Sequence, residues 1–182
     1  NDEDRHYTLP PMARLPRIGR VVDQGSYFVL HAPRQTGKTT VMRAWAKALT
    51  ASGQYAALYT TCEVGQTFGN DADRAEAVIL SQFGQDASND LPAELLPPPV
   101  PTTAAPGSRL SAWLTAWAQQ CPRHIVLFLD EIDALQGDSL ISVLRQLRAG
   151  YPGRPQHFPW SVALCGLRDV RDYKAASGGD AT

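Results

Sequence analysis

Four short, nearly all-apolar runs alternate along this chain with longer stretches of helical periodicity. The runs are residues 26–31, YAALYTT at 55–61, HIVLFLDEID at 124–133, which ends in acid, and WSVALCG at 160–166. A strand that is apolar on both faces has to be covered on both faces, so the pattern predicts a parallel sheet sandwiched between helices. Five helices are predicted between and around these strands. Pro16 opens a short one, with Ile18, Val21 and Val22 inward and Gly25 ending it. The second runs from Lys38 to about Ala51, with Val41, Met42, Trp45, Ala48 and Leu49 at helical spacing and Gly53 as its stop. Residues 71–83 form the third and 108–120 the fourth, the latter with Leu110, Trp113, Leu114 and Trp117 on one face. The fifth spans 138–150, with Leu140, Ile141, Leu144 and Leu147 inward and Gly150 as its stop.

Residues 84–107 break the alternation. Pro92, Pro97, Pro98, Pro99, Pro101 and Pro106 forbid a regular helix or ladder, so this segment is expected to be a long solvated connector, with a partner-docking surface as the alternative. Trp113 and Trp117, four residues apart on an amphipathic helix, are expected in the core rather than as a stacking platform for bases.

Composition narrows the classes of function. With 182 residues the chain supports one domain with a sizeable core and a small appendage. A net charge of −1 gives no electrostatic support for nucleic acid or an anionic membrane as partner, and no apolar run is long enough to span a bilayer. Cys62, Cys121 and Cys165 are odd in number and lack metal-ligand spacing, which suits reduced, mostly buried thiols of a cytoplasmic protein.

In a parallel sheet, chemistry collects beyond the carboxyl ends of the strands, and two unusual segments fall there. The first is HAPRQTGKTT at 31–40. Its residues Ala32, Pro33, Arg34, Gln35, Thr36, Gly37, Lys38, Thr39 and Thr40 follow a strand and open a helix, the arrangement in which backbone N–H groups and a helix N-terminus cradle phosphate. Gly37 lets the backbone approach without a Cβ in the way. Lys38 would set its cationic tip on the β and γ phosphates, and Thr39 would offer a hydroxyl to Mg²⁺. Alanine stands at position 32 where the usual signature has its first glycine, at a strand exit that accepts a methyl. The second segment is IVLFLDE at 125–131. Its strand carries Asp130 to the tip of the sheet as a metal-site carboxylate, and Glu131 is the candidate to orient or deprotonate an attacking water. Asp133 reads as a loop or cap residue.

Together these motifs and the strand between them resemble the P-loop ATPases with an additional strand and a catalytic glutamate, the branch that holds the AAA+ and STAND families. HAPRQTGKTT, FLDEIDAL and ALCGLRDVRDYK are similar to bacterial AAA-like ATP-binding proteins. The resemblance implies a three-layer α/β/α P-loop NTPase fold with a mostly parallel sheet in the order 5-1-4-3-2. It also implies ATP and Mg²⁺ as ligands and Arg168 as a sensor of the γ-phosphate. Tyr7, Leu9 and Pro10 would lie near adenine, and Arg145, Arg148 and Arg154 would be candidates for a finger acting on a neighbouring subunit. On the same resemblance, residues 1–25 lead into the nucleotide site, 26–172 form the ATPase core, and 173–182 are a flexible tail where the fifth strand and helical lid are missing.

The expected activity is therefore hydrolysis of Mg-ATP that drives or times a conformational switch, with a homo-oligomer or partner protein as its recipient. The alternatives are a nucleotide-gated scaffold with negligible hydrolysis and, last, a small-molecule P-loop kinase. No N-K-x-D segment of the guanine-reading kind is present, which favours ATP over GTP.

Overall fold

A computed structural model describes residues 17–31 and 37–166. Its four strands, β1 (Tyr27–His31), β2 (Tyr55–Thr61), β3 (His124–Asp130) and β4 (Ser161–Gly166), form one parallel sheet in the order β1-β4-β3-β2. That is the order the resemblance implies for these four. Helices α1 (Arg17–Asp23) and α2 (Lys38–Ala51) cover one face, and α3 (Ala72–Asp90), α4 (Arg109–Gln120) and α5 (Gly137–Gly150) cover the other.

Alternation along the strands divides the core in two. Ala56 and Leu58 of β2 and Ile125, Leu127 and Leu129 of β3 join the α3–α5 side, with Phe83, Trp113 and Trp117. Tyr55, Ala57 and Tyr59 of β2 and Val126 and Phe128 of β3 join the α1–α2 side, with Ile18, Val22, Val41, Met42 and Leu49. Burial of both strand faces is what the near-continuous apolar runs required. Trp113 and Trp117 are fully buried, so they are core residues and not a surface for bases.

Two features differ from the sequence expectation. Helix α3 does not stop at Phe83 but runs on to Asp90, taking the first seven residues of the expected connector. No proline interrupts it before Pro92, Gly84 costs a helix little over one position, and Ala87 continues the buried stripe. Nor is the proline-rich segment a free, solvated loop. The indole N–H of Trp113 donates to the carbonyl of Pro98 at 2.8 Å, and that of Trp117 to the carbonyl of Leu95 at 3.0 Å. Leu95 is completely buried beneath them. The tryptophans thus pair their polar edges with the very carbonyls that proline-rich backbone leaves without a ladder partner.

Arg154 is likewise structural. Its guanidinium donates to the carbonyls of Gly25, Tyr151 and Trp160 and lies 3.4 Å from the centroid of the Tyr151 ring, so its donors are engaged within the chain. Arg145 and Arg148 are exposed on α5. No helix among the described residues is long and apolar enough to cross a membrane.

Candidate functional site

The carboxyl ends of the strands converge on Asp130. Pairing of β2 with β3 sets Thr61 opposite Asp130, and the N–H of Cys62 donates to the Asp130 carbonyl at 2.9 Å. On the other side β4 lies between β3 and β1, with Cys165 opposite Leu30 at the exit toward the phosphate loop. Asp130 is thereby held by backbone on the central strand, with its side chain only 4% exposed.

Its carboxylate accepts three hydrogen bonds and keeps acceptor capacity for a cation. The Thr39 hydroxyl donates to Oδ2 at 2.8 Å, the Tyr59 hydroxyl donates to the same oxygen at 2.9 Å, and the backbone N–H of Glu131 donates to Oδ1 at 3.0 Å. The first of these joins residues 91 apart in sequence and brings the two sequence motifs into direct contact. A hydroxyl that spends its one proton on Asp130 turns its lone pairs outward. Thr39 and Asp130 therefore present neighbouring hard oxygen donors, the pair that suits Mg²⁺ completed by phosphate and water oxygens. These residues fit a divalent cation.

Gly37 precedes α2 with φ 75°, a left-handed conformation that glycine adopts freely and that starts the helix beside the loop. Lys38 begins α2, and its ammonium is near enough to Cys165 to oppose the rise in that thiol's pKa. Burial dominates there, with Asp130 next, and the Cys165 thiol is pushed up to about 12; burial does the same to Cys62. Both thiols flanking the carboxylate are therefore neutral packing groups, as expected. Residues Ala32, Pro33, Arg34, Gln35 and Thr36 of the loop, with Arg168 and the adenine-side candidates Tyr7, Leu9 and Pro10, lie outside the described residues.

Glu131 is the single non-glycine with positive φ among the described residues, at φ 52° and ψ 40°. Left-handed backbone is costly for such a residue and tends to persist where a site requires it. Here it ends β3 abruptly and turns the chain into the 3₁₀ turn Ile132–Ala134. The Glu131 carboxyl is held above its ordinary pKa of 4.5, first by partial desolvation, then by the charge of Glu63 and a hydrogen bond with it, with Asp130 and Asp133 adding repulsion. Glu63 comes two residues after the end of β2, past Cys62, and meets Glu131 across the strand ends.

Tyr59 and Glu63 are the site residues that sequence reasoning missed. Neither belongs to a local signature; both arrive through the β2–β3 register, which pairs segments about seventy residues apart. Only the apolar run YAALYTT, read as a strand next to the acidic one, pointed toward them. Tyr59 is packed against α2, where the Arg43 guanidinium lies 4.4 Å from its ring centroid. Burial, reinforced by Asp130, raises its hydroxyl well above the usual phenol range, so it stays a hydrogen-bond donor.

A family model described as AAA ATPase domain matches residues 14–155, which takes in the phosphate loop, β2 and the acidic strand. No curated protein sequence matches the chain.

Proposed function

The chain belongs to the AAA ATPase domain family, and on that premise we propose that it binds Mg-ATP and hydrolyses it to ADP and phosphate to drive or time a conformational switch. The observation that carries this reading is the 2.8 Å hydrogen bond from Thr39 to Asp130, with Lys38 and Glu131 as their immediate neighbours in the chain. It joins the phosphate end and the acidic end of one site, as phosphoryl transfer by positioning and charge requires.

In this reading the N–H groups of residues 32–40 cradle the phosphates at the start of α2, and Lys38 neutralises the β and γ oxygens. Thr39 and Asp130 hold Mg²⁺, which when bound neutralises charge on the phosphate oxygens. Glu131 orients the attacking water and takes its proton. Arg168 senses the γ-phosphate, and the product state is passed to a partner or a further copy of the chain.

A second reading has its own support. The charge of Glu63 beside Glu131 raises the Glu131 carboxyl above its ordinary value, and the more firmly that carboxyl keeps its proton the poorer a base it is. A module resting in this state would hold ATP without cleaving it until Glu63 moved away.

Equilibrium binding of a fluorescent ATP analogue with Mg²⁺, to the parent and to Lys38→Ala, tests the shared premise. The parent is expected to bind and Lys38→Ala to lose most of its affinity. Equal affinity in both would remove the phosphate loop from the account.

A further inference from the structure

Beside Asp130 stands a polar group that neither sequence motif explains. The Tyr59 hydroxyl reaches 2.9 Å from Oδ2, the oxygen that also takes the Thr39 hydroxyl. With the Glu131 N–H on Oδ1, the carboxylate is gripped from three elements: α2, β2 and the turn after β3. These donors fix both the plane of the carboxylate and which oxygen faces α2. Remove the Tyr59 contact and the group is held at Oδ2 by a single rotatable hydroxyl, inside a pocket where Asp130 is 4% exposed and Tyr59 5%.

Tyr59 is in turn placed by α2. The Arg43 guanidinium lies 4.4 Å from its ring centroid, and Arg43 comes four residues after Thr39, one turn along the same face of the helix. A cation over the ring draws electron density from the phenol and strengthens its hydroxyl as a donor. One helix thus meets the carboxylate twice, directly through Thr39 and indirectly through Arg43 and Tyr59.

We propose that Tyr59, held by Arg43, is a positioning residue for the cation end of this site: it locks Asp130 in the orientation that leaves the Thr39 and Asp130 oxygens side by side for a divalent ion. The proposal rests on the nucleotide-site reading above and adds to it a residue that acts through Asp130. Outer-shell partners of metal-binding carboxylates typically matter by tenfold or more in metal affinity.

The test uses Mn²⁺ as a paramagnetic probe, titrated into the full chain with ADP, and nucleotide affinity measured separately in EDTA. Tyr59→Phe keeps the ring and its packing and removes only the hydroxyl. It is expected to weaken Mn²⁺ about tenfold while leaving affinity in EDTA unchanged. Tyr55→Phe is the control: it is on the same strand and also buried, but its hydroxyl donates to Asp23 at 3.0 Å, away from the site. It should leave Mn²⁺ binding untouched. Equal Mn²⁺ affinity in Tyr59→Phe and the parent would overturn the proposal and spare the nucleotide site. Absence of nucleotide-dependent Mn²⁺ binding in the parent would overturn both. Should Tyr59→Phe fail to fold, Arg43→Met, at an exposed position, carries the same test. It is expected to weaken Mn²⁺ about threefold, the worth of an exposed cation–π contact, and no change would overturn the proposal.

Discussion

Replacing Glu76 with alanine should be among the most damaging changes outside the nucleotide site. Glu76 is a carboxylate on α3 only 2% exposed, yet it has no cationic partner among its hydrogen bonds. It accepts instead from the N–H of Gly107 at 2.8 Å, the N–H of Leu110 at 2.9 Å and the side-chain amide of Gln146 at 2.8 Å. The two N–H groups lie at and just before the start of α4, where free donors and the helix dipole favour a negative charge. Gln146 belongs to α5, so one side chain fastens three helices. Alanine leaves the Leu110 N–H buried without an acceptor and returns the Gly107 N–H, on an exposed residue, to partial contact with water, whereas the Gln146 amide keeps the Ser142 hydroxyl at 3.2 Å. Hydrogen bonds to a charged group are worth ~1.5–3 kcal/mol each; with the part-exposed Gly107 bond at the low end, the two lost bonds cost ~3–5 kcal/mol. For 182 residues the unfolding entropy is ~0.4 kcal/mol per kelvin, which converts that loss into a fall in melting temperature of ~8–12 °C. Circular dichroism melts of the parent, Glu76→Ala and Glu76→Gln at pH 7 check this. Glu76→Gln keeps one acceptor and should fall between the other two. A Glu76→Ala melting point within ~2 °C of the parent would mean that water replaces the carboxylate and that the clamp is not what joins α3, α4 and α5.

Other outcomes follow from the same geometry. Gly25→Ala should destabilise by ~2–4 kcal/mol in urea denaturation, because Gly25 has φ +64° and an added Cβ would sit 2.7 Å from the Trp160 ring. If the chain hydrolyses ATP with Glu131 as base, Glu63→Gln should move the acid limb of the pH–rate profile to lower pH, since it removes a negative neighbour that raises the Glu131 pKa. Glu131→Gln should raise the melting temperature at pH 8 but change it little at pH 4. A carboxyl whose folded pKa is raised stabilises the fold below its unfolded value of 4.5 and loses that contribution as pH rises through the folded pKa.

Much of the fold was legible because β2, β3 and β4 are buried on both faces, and the helices between them carry strong apolar stripes. The site was legible where chemistry is local: Lys38 and Thr39 open a helix, and Asp130 and Glu131 end an apolar strand. The remainder depends on distant segments meeting. Tyr59 reads as one more apolar strand residue until the register of β2 on β3 sets it beside Asp130. Glu63 reads as a surface acid until the same register brings it to Glu131. The proline-rich segment suggested solvent because its own residues offer no ladder, and its partners are indole N–H groups on α4. Gly84 lies inside a helix that continues past it because Ala87 beyond is buried. Arg154 looked available because nothing local shows that the Gly25 carbonyl, 129 residues away, accepts from it.

If one site joins the phosphate loop to a working base, Glu131 governs turnover and not nucleotide binding. The most direct measurement is phosphate release from Mg-ATP by the parent and by Glu131→Gln, with ATP binding followed in the same samples. Turnover is expected of the parent, and the variant should bind ATP as well or better but release phosphate at a rate lower by two orders of magnitude or more, roughly what a lost general base costs. Equal release by both proteins would contradict this expectation, because the glutamate that ends β3 would then have no part in the chemistry.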